Sequence, residues 1–151
     1  MYAQSVPFLL RNLSSMTKIL KKAEAFCDAR KLHKSVVLGL RTYPDMLPLT
    51  AQILILCDQA KGCASRLSGT EIPKYADEEK TFEELYARIE KTADFIKSID
   101  AKKFDGAATR TVTLKVGGKD VEMNGSDYPN GAVWPNHYFH MPTAQSFVRV
   151  M

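Results

Sequence analysis

The sequence DMLPLTAQILILCDQAKGCASRLSG, residues 45–69, repeats its apolar residues at steps of three and four, which is the period of an α-helix. Leu54 and Ile55 lie off this apolar stripe, so the helix is expected to be covered on more than one side. Gly69 is a typical residue just beyond a helix end. We therefore predict a central helix from about Asp45 to Leu67, with the stripe Leu49, Ile53, Leu56, Cys57, Ala60, Cys63, Ala64 and Leu67.

Two further long helices are predicted on either side of the central one. Residues 5–28 have the same apolar period, and Pro7 is tolerated in a first helical turn, where its missing N–H costs nothing. Residues 81–84, TFEE, have the pattern of a capping box and predict a helix over residues 81–100. On its solvent face, Glu84 and Arg88 are expected to form an ion pair. A short helix is predicted over residues 35–40.

The period changes in the last third of the chain. Residues 111–116 and 119–123 alternate between apolar and polar, and Gly117-Gly118 suits the turn of a β-hairpin whose apolar face lies on the bundle. Residues 130–147 are predicted to form a kinked helix, because prolines interrupt helical hydrogen bonds. The chain is thus expected to be one mostly α domain over residues 1–151, a four-helix bundle with a β-hairpin inserted before the last helix.

The composition is that of an ordinary globular domain. Of 151 residues, 45% are hydrophobic and 25% charged, which excludes a disordered or low-complexity chain. The net charge of +4 is mild, and no aromatic residues interleave with the lysines, so nucleic-acid binding is not expected. Three cysteines without a CxxC pair favour reduced thiols and a cytoplasmic protein. No signal peptide or membrane-spanning segment is predicted.

The histidine pair His137 and His140 is the main candidate for chemistry. At a spacing of three residues both rings lie near one face of a helix, where they could share a metal ion. A third ligand would have to come from His33, Asp45 or Asp58. The alternative is that one histidine is hydrogen-bonded in the core and the other lies at the surface. HxxH alone is a weak signal for a metal site.

A metal-free site around His140 is the other possibility. An imidazole with a pKa near ~6.5 can act as general base or acid, and Asp45 would orient it or move a second proton. The simpler interpretation is that Asp45 is the N-cap of the central helix. Gln52 lies seven residues further on, on the same helix face. We expect Gln52, Tyr138 and His137 to contact the substrate.

Other polar residues of the central helix have simpler interpretations. Asp58 and Lys61 are expected to form a surface ion pair, which contributes little stability. Cys57 and Cys63 lie on the apolar stripe and are expected to be buried, unreactive thiols. No nucleophile elbow, P-loop, dinucleotide fingerprint or HExxH motif occurs.

Several phrases of the sequence together resemble a domain-of-unknown-function family found in bacteria and fungi, within the DinB-like superfamily of four-helix bundles. The resemblance covers nearly the whole chain. It lies in Ser5-Val6-Pro7-Phe8, Pro44-Asp45-Met46-Leu47-Pro48-Leu49, Ala60-Lys61-Gly62, Arg66-Leu67-Ser68-Gly69, Thr81-Phe82-Glu83-Glu84-Leu85, Arg88-Ile89, Thr113-Leu114-Lys115-Val116-Gly117-Gly118, Pro135-Asn136 and Tyr138-Phe139-His140.

The resemblance implies a DinB-like fold, and it raises the question of whether this chain has the metal site of DinB-like relatives. DinB-like relatives often hold a divalent metal with one histidine from the second helix and an HxxxH pair from the last. This chain has HxxH instead, and its second helix has no histidine. The resemblance makes His140 the matching histidine, with His137 where an aromatic residue is more usual. Relatives also usually continue past the last helix.

Three functions follow as hypotheses. The first is a cofactor-independent enzyme that isomerises, dehydrates or cyclises a small apolar metabolite by proton transfer, which agrees with the association of some fungal relatives with polyketide tailoring. The second is a metal-dependent DinB-like hydrolase or thiol transferase using His137, His140 and a carboxylate. The third is a non-catalytic bundle that binds a ligand or a partner, and a homodimer is a possible assembly. No cofactor is favoured, although a divalent metal is possible.

Overall fold

A computed structural model describes residues 1–149 as a bundle of helices with one β-hairpin. Of the four long helices, α3 is central and contacts the other three, α1, α4 and α5. This confirms the predicted mostly α architecture, with the hairpin placed before the last helix. The elements are α1 (Tyr2–Arg30), α2 (Lys34–Leu38), α3 (Leu49–Ser68), α4 (Phe82–Ser98), β1 (Thr111–Val116), β2 (Lys119–Asn124) and α5 (Trp134–Arg149).

The central helix α3 begins four residues later than predicted, at Leu49 rather than Asp45. Pro48 is its N-cap, in an extended conformation, and a proline also disfavours helical geometry in the residue before it. Asp45 lies instead in an exposed turn that the Met46 N–H closes by donating to the carbonyl of Tyr43, at 3.0 Å. The alternative role of Asp45 as a helix cap is therefore wrong as well.

The start of α4 is as predicted, whereas the predicted ion pair between Glu84 and Arg88 on its solvent face does not form. The Thr81 hydroxyl accepts from the N–H of Glu84 at 3.2 Å, and the Glu84 carboxylate accepts from the N–H of Thr81 at 3.0 Å, which completes the capping box. Arg88 is not a surface partner of Glu84. It is buried between α4 and the segment of residues 69–80, and it pairs there with Asp58.

The hairpin is antiparallel with the predicted apolar pairs in register, Val112 opposite Met123 and Leu114 opposite Val121. Gly117 and Gly118 both have positive φ, which the two-residue turn requires. The apolar face packs most closely on the bundle at its base. Val112 is buried, whereas Val116 near the tip is 57% exposed and lines a cleft together with residues of α3.

The chain enters α5 through a π-helical turn, Pro129–Val133, in place of the simple kink that was predicted. The N–H of Gly131 donates to the carbonyl of Asp127 at 2.7 Å and starts this turn. Trp134 continues the same helical path, with its N–H donating to the carbonyl of Pro129, and Pro135 and Pro142 both lie within α5. Among residues 1–149, no helix is long and apolar enough to cross a membrane.

Candidate functional site

Polar side chains of α3 and α5 meet along the contact between these two helices. His140 bonds to Gln52 near the start of α3, and Tyr128 bonds to Arg66 near its end, so the helices run antiparallel. Gln52, Gln59 and Arg66 are seven residues apart, which places them on one face of α3 at intervals of ~10 Å. We call the following set the polar seam: Gln52, Gln59, Arg66, Tyr128, Asn136 and His140.

His140 is held in one tautomer by Gln52. The side-chain amide nitrogen of buried Gln52 donates to the carbonyl of Leu47 at 3.2 Å, so its Oε1 atom is the one that faces the imidazole. Nδ1 of His140 lies 2.6 Å from this oxygen and must donate, since the oxygen can only accept. The proton therefore sits on Nδ1, and Nε2 keeps its lone pair.

The surroundings of His140 favour the neutral imidazole. Partial burial lowers its pKa below the ordinary histidine value. Its partner Gln52 is uncharged, so no carboxylate at Nδ1 offsets this effect by stabilising the imidazolium. His140 is thus a neutral base with a fixed orientation, which is a competent arrangement for accepting a proton at Nε2.

His137 is turned toward α1 and is 1% exposed. The side-chain amide nitrogen of Asn12 lies 3.1 Å from Nε2, so Nε2 accepts and the proton is on Nδ1, which is buried without a partner among residues 1–149. Burial, and then the neighbouring His140, lower the pKa of His137 to about 4. His137 matches the core-histidine alternative rather than a substrate contact.

The residues present do not fit the implied divalent metal. Within the described part of the chain, no three His, Cys, Asp or Glu side chains come together as a possible metal site. Nε2 of His137 is occupied by Asn12, and Nδ1 of His140 by Gln52. Asp45 is exposed in its turn, and His33 is exposed and bonded to Ser35 at 2.7 Å.

Two predicted site residues lie elsewhere. Asp45 is not the group that orients His140, because Gln52 occupies that position. Tyr138 is 57% exposed and its ring packs on Phe8 of α1, with centroids 5.7 Å apart, so its predicted substrate contact has no support here. The reason is helical geometry: Tyr138 is two residues before His140, so its side chain points about 200° away from the side of α5 that contacts α3.

Sequence reasoning missed Asn12, Gln59 and Arg66. Asn12 follows Leu9 by three residues and so borders the apolar stripe of α1, which is a weak local signal for a buried hydrogen bond. The seven-residue spacing of Gln52, Gln59 and Arg66 is a stronger signal. It marks a polar row beside the apolar stripe of the central helix.

A cleft of about 450 Å³ opens on the seam between α3, β1 and the entry to α5. Ile55, Leu114 and Val133 contribute apolar wall, and Gln59 and Arg66 contribute polar groups. Asn136 also lines it and lies one helical turn before His140. Along α5 the cleft thus reaches to within one helical turn of His140, although His140 is not part of its wall. His137 does not line this cleft either.

Asp58, on the edge of this cleft, belongs to a separate ion-pair cluster. It accepts from Lys61 and from Arg88, each at 2.8 Å. Arg88 also pairs with Asp77 at 2.6 Å and Glu79 at 2.9 Å, and so fastens the segment before α4. The predicted Asp58–Lys61 pair forms, but the Lys61 side chain is only 7% exposed and the pair is part of this network.

The two thiols of α3 are buried, as predicted. Burial raises the pKa of Cys57 and of Cys63 to about 12. A thiol with so high a pKa has almost no thiolate at neutral pH, and the thiolate is the nucleophile. Neither cysteine is suited to covalent chemistry.

Comparisons with known proteins agree with this fold. The family model described as "Domain of unknown function (DUF1993)" matches residues 1–150. The solved structure of a DinB family member protein from Shewanella denitrificans is 31% identical, with a TM-score of 0.88. The match covers 99% of this chain and 84% of that chain. No curated protein matches the sequence.

Proposed function

The chain belongs to the DUF1993 family, within the DinB-like superfamily, and we propose that it is a small-molecule enzyme in which His140 transfers a proton. The observation that supports this most directly is the chain of hydrogen bonds from the Leu47 carbonyl through Gln52 to Nδ1 of His140. It fixes the ring and the tautomer, and it leaves Nε2 as the basic atom.

The substrate class follows from the adjoining cleft. Its apolar walls suit a small, largely apolar metabolite, and His140 lies one turn beyond Asn136 at its edge. A neutral base beside such a cleft can remove a proton from carbon or from a hydroxyl and return it to another atom, as isomerisation, dehydration or cyclisation requires. Gln52 is a positioning residue, since it acts through His140.

The metal-dependent alternative has less support. The three-ligand set of His137, His140 and Asp45 would require Asp45 to leave its turn and His137 to give up its bond to Asn12. We therefore route no step of the proposed reaction through a metal.

Proton transfer can be tested without knowing the substrate. A panel of apolar keto and hydroxy acids is incubated with the protein in D₂O, and deuterium incorporation is followed by mass spectrometry. We expect incorporation into at least one compound, and loss of about 10²–10⁴-fold in rate for His140→Ala. His33→Ala, which changes an exposed histidine outside the seam, is the matched control.

The role of Gln52 predicts a change in pH profile. In the wild type, the rate should fall on acidification as His140 is protonated, with a midpoint below the ordinary histidine value, because burial lowers its pKa. Gln52→Glu places a carboxylate at Nδ1, which raises the pKa of His140 and moves the midpoint to higher pH. An unchanged profile in Gln52→Glu, or full activity in His140→Ala, would contradict the proposal.

A further inference from the structure

Arg66 is a cation without a carboxylate partner among residues 1–149, and it lines the cleft beside α3. It is half-buried and donates one hydrogen bond, from Nη1 to the Tyr128 hydroxyl at 3.2 Å. A guanidinium has five N–H donors, so most of its donors remain available. This is an incomplete environment for a half-buried charge, and an anion would complete it.

The backbone below Arg66 is shaped to receive its side chain. A Cβ on Gly62 would lie 2.6 Å from Nη1 of Arg66, so the glycine leaves room for the guanidinium against α3, and a larger residue would displace it. The Tyr128 ring lies on another side, with its centroid 5.9 Å from the guanidinium carbon. Arg66 thus lies between Gly62 and the Tyr128 ring, with its guanidinium on the wall of the cleft.

Gln59 supplies a second unmatched group on the same wall. Its Oε1 is buried and has no hydrogen-bond partner among the described residues. This oxygen can only accept, so it matches a hydroxyl or amine of a ligand. The backbone positions of Gln59 and Arg66 are ~10 Å apart along α3, so a ligand that contacts both side chains needs two polar ends separated by an apolar body, such as two fused rings.

The other charged residues of the cleft do not neutralise the positive charge of Arg66. Asp58, on the rim, is already paired with Lys61 and Arg88. Lys115 adds a second positive charge at the mouth, although its side chain is 79% exposed and 3.5 Å from Asp120. The wall between the polar groups is apolar, from Ile55 and other residues.

We infer that this cleft binds a small, largely apolar hydroxy acid, with Arg66 holding the carboxylate and Gln59 accepting from the hydroxyl. This inference names the substrate class of the proposed enzyme. It rests on the proposed function only in assuming that His140 acts on the bound ligand. Binding itself depends on Arg66 and Gln59. Arg66 lies near the end of α3, whereas His140 contacts Gln52 near its start. A ligand whose carboxylate binds Arg66 therefore has its hydroxyl end closer to His140.

The test compares three probes by isothermal titration calorimetry: 6-hydroxy-2-naphthoate, its neutral amide, and 2-naphthoate, which lacks the hydroxyl. A hydrogen-bonded charge pair predicts that the amide binds about tenfold or more weakly than the acid. Arg66→Gln should weaken the acid by a similar factor and leave the amide unchanged. Arg11→Gln removes an exposed arginine of α1 and is the control for net charge.

Gln59→Leu tests the second group. It should weaken 6-hydroxy-2-naphthoate several-fold and leave 2-naphthoate unchanged. Equal binding of acid and amide by the wild type, absence of saturable binding at millimolar acid, or equal effects of Arg66→Gln and Arg11→Gln would overturn the inference. The first two outcomes need no variant, so they hold even where a variant fails to fold.

His140→Ala separates this inference from the proposed function. If it keeps wild-type affinity for the acid while deuterium exchange is lost, both stand. If the acid binds through Arg66 but no compound of the panel exchanges, the binding site stands and the proton-transfer proposal fails. If a compound of the panel exchanges but the acid does not bind more tightly than its amide, the proton-transfer proposal stands and the binding site fails.

Discussion

Acidification should destabilise the fold through His137. This side chain is 1% exposed, its Nε2 accepts from Asn12, and burial together with His140 lowers its pKa to about 4. In the unfolded chain a histidine titrates near its ordinary value of ~6.5. Between these two values the unfolded state binds a proton that the native state does not bind. Stability is therefore complete above pH ~6.5 and falls as the pH is lowered toward 4.

The size of the effect follows from the difference in pKa. Each tenfold difference in proton affinity corresponds to ~1.4 kcal/mol, so the change from 6.5 to about 4 gives a limit of about 3 kcal/mol at low pH. Between pH 7 and pH 5 about 2 kcal/mol of this is lost, because at pH 5 the unfolded histidine is mostly protonated and the native one is still neutral. Between pH 7 and pH 5 most carboxylates stay ionised, so they contribute little to this change in stability.

Urea unfolding followed by circular dichroism at pH 7, 6 and 5 measures this loss. His137→Gln cannot titrate in this range and should lose about 2 kcal/mol less than the wild type between pH 7 and pH 5. His140, whose pKa is also lowered, contributes to both proteins and largely cancels in the difference. His33→Gln, an exposed histidine, should behave as the wild type. Equal losses in wild type and His137→Gln would refute the reasoning.

Three further predictions concern stability and reactivity. Arg88→Met should lower the free energy of unfolding by about 3 kcal/mol in urea titrations, since it leaves three carboxylates without their shared cation, whereas Lys97→Met, at an exposed pair, should change it little. Thr81→Ala removes the capping hydroxyl of α4 and should cost about 1 kcal/mol by the same measurement; no change would mean that water replaces the cap. Cys57 and Cys63 should react with a thiol reagent only at the rate of unfolding, and rapid labelling of the native protein would contradict their burial.

The helices could be predicted from the sequence wherever a short-range pattern, such as apolar periodicity or a capping box, determines where they form. The apolar period of residues 5–28 indicated α1, and the TFEE capping box located the start of α4 to within one residue. The local rules failed where two of them competed. Asp45 is a good N-cap residue, but Pro48 prevents helical geometry before it, and the helix begins at Leu49.

Charged residues were harder to place than apolar ones. Arg88 is spaced four residues from Glu84, which favours a surface pair. Its actual partners, Asp58 and Asp77, lie 30 and 11 residues away. A spacing rule describes only neighbours on one helix, and it says nothing of a segment that folds back over that helix.

The sequence by itself determined the order and the type of the elements, because periodicity, caps and turn glycines act within a few residues. Only the tertiary structure decided which polar groups meet. Gln52 and His140 are 88 residues apart, and Asn12 and His137 are 125 apart. Each pair depends on the rotation and register of two packed helices. A shift of one residue turns a helical side chain by about 100°, so the candidate base and its positioning residue come together only once the bundle has closed.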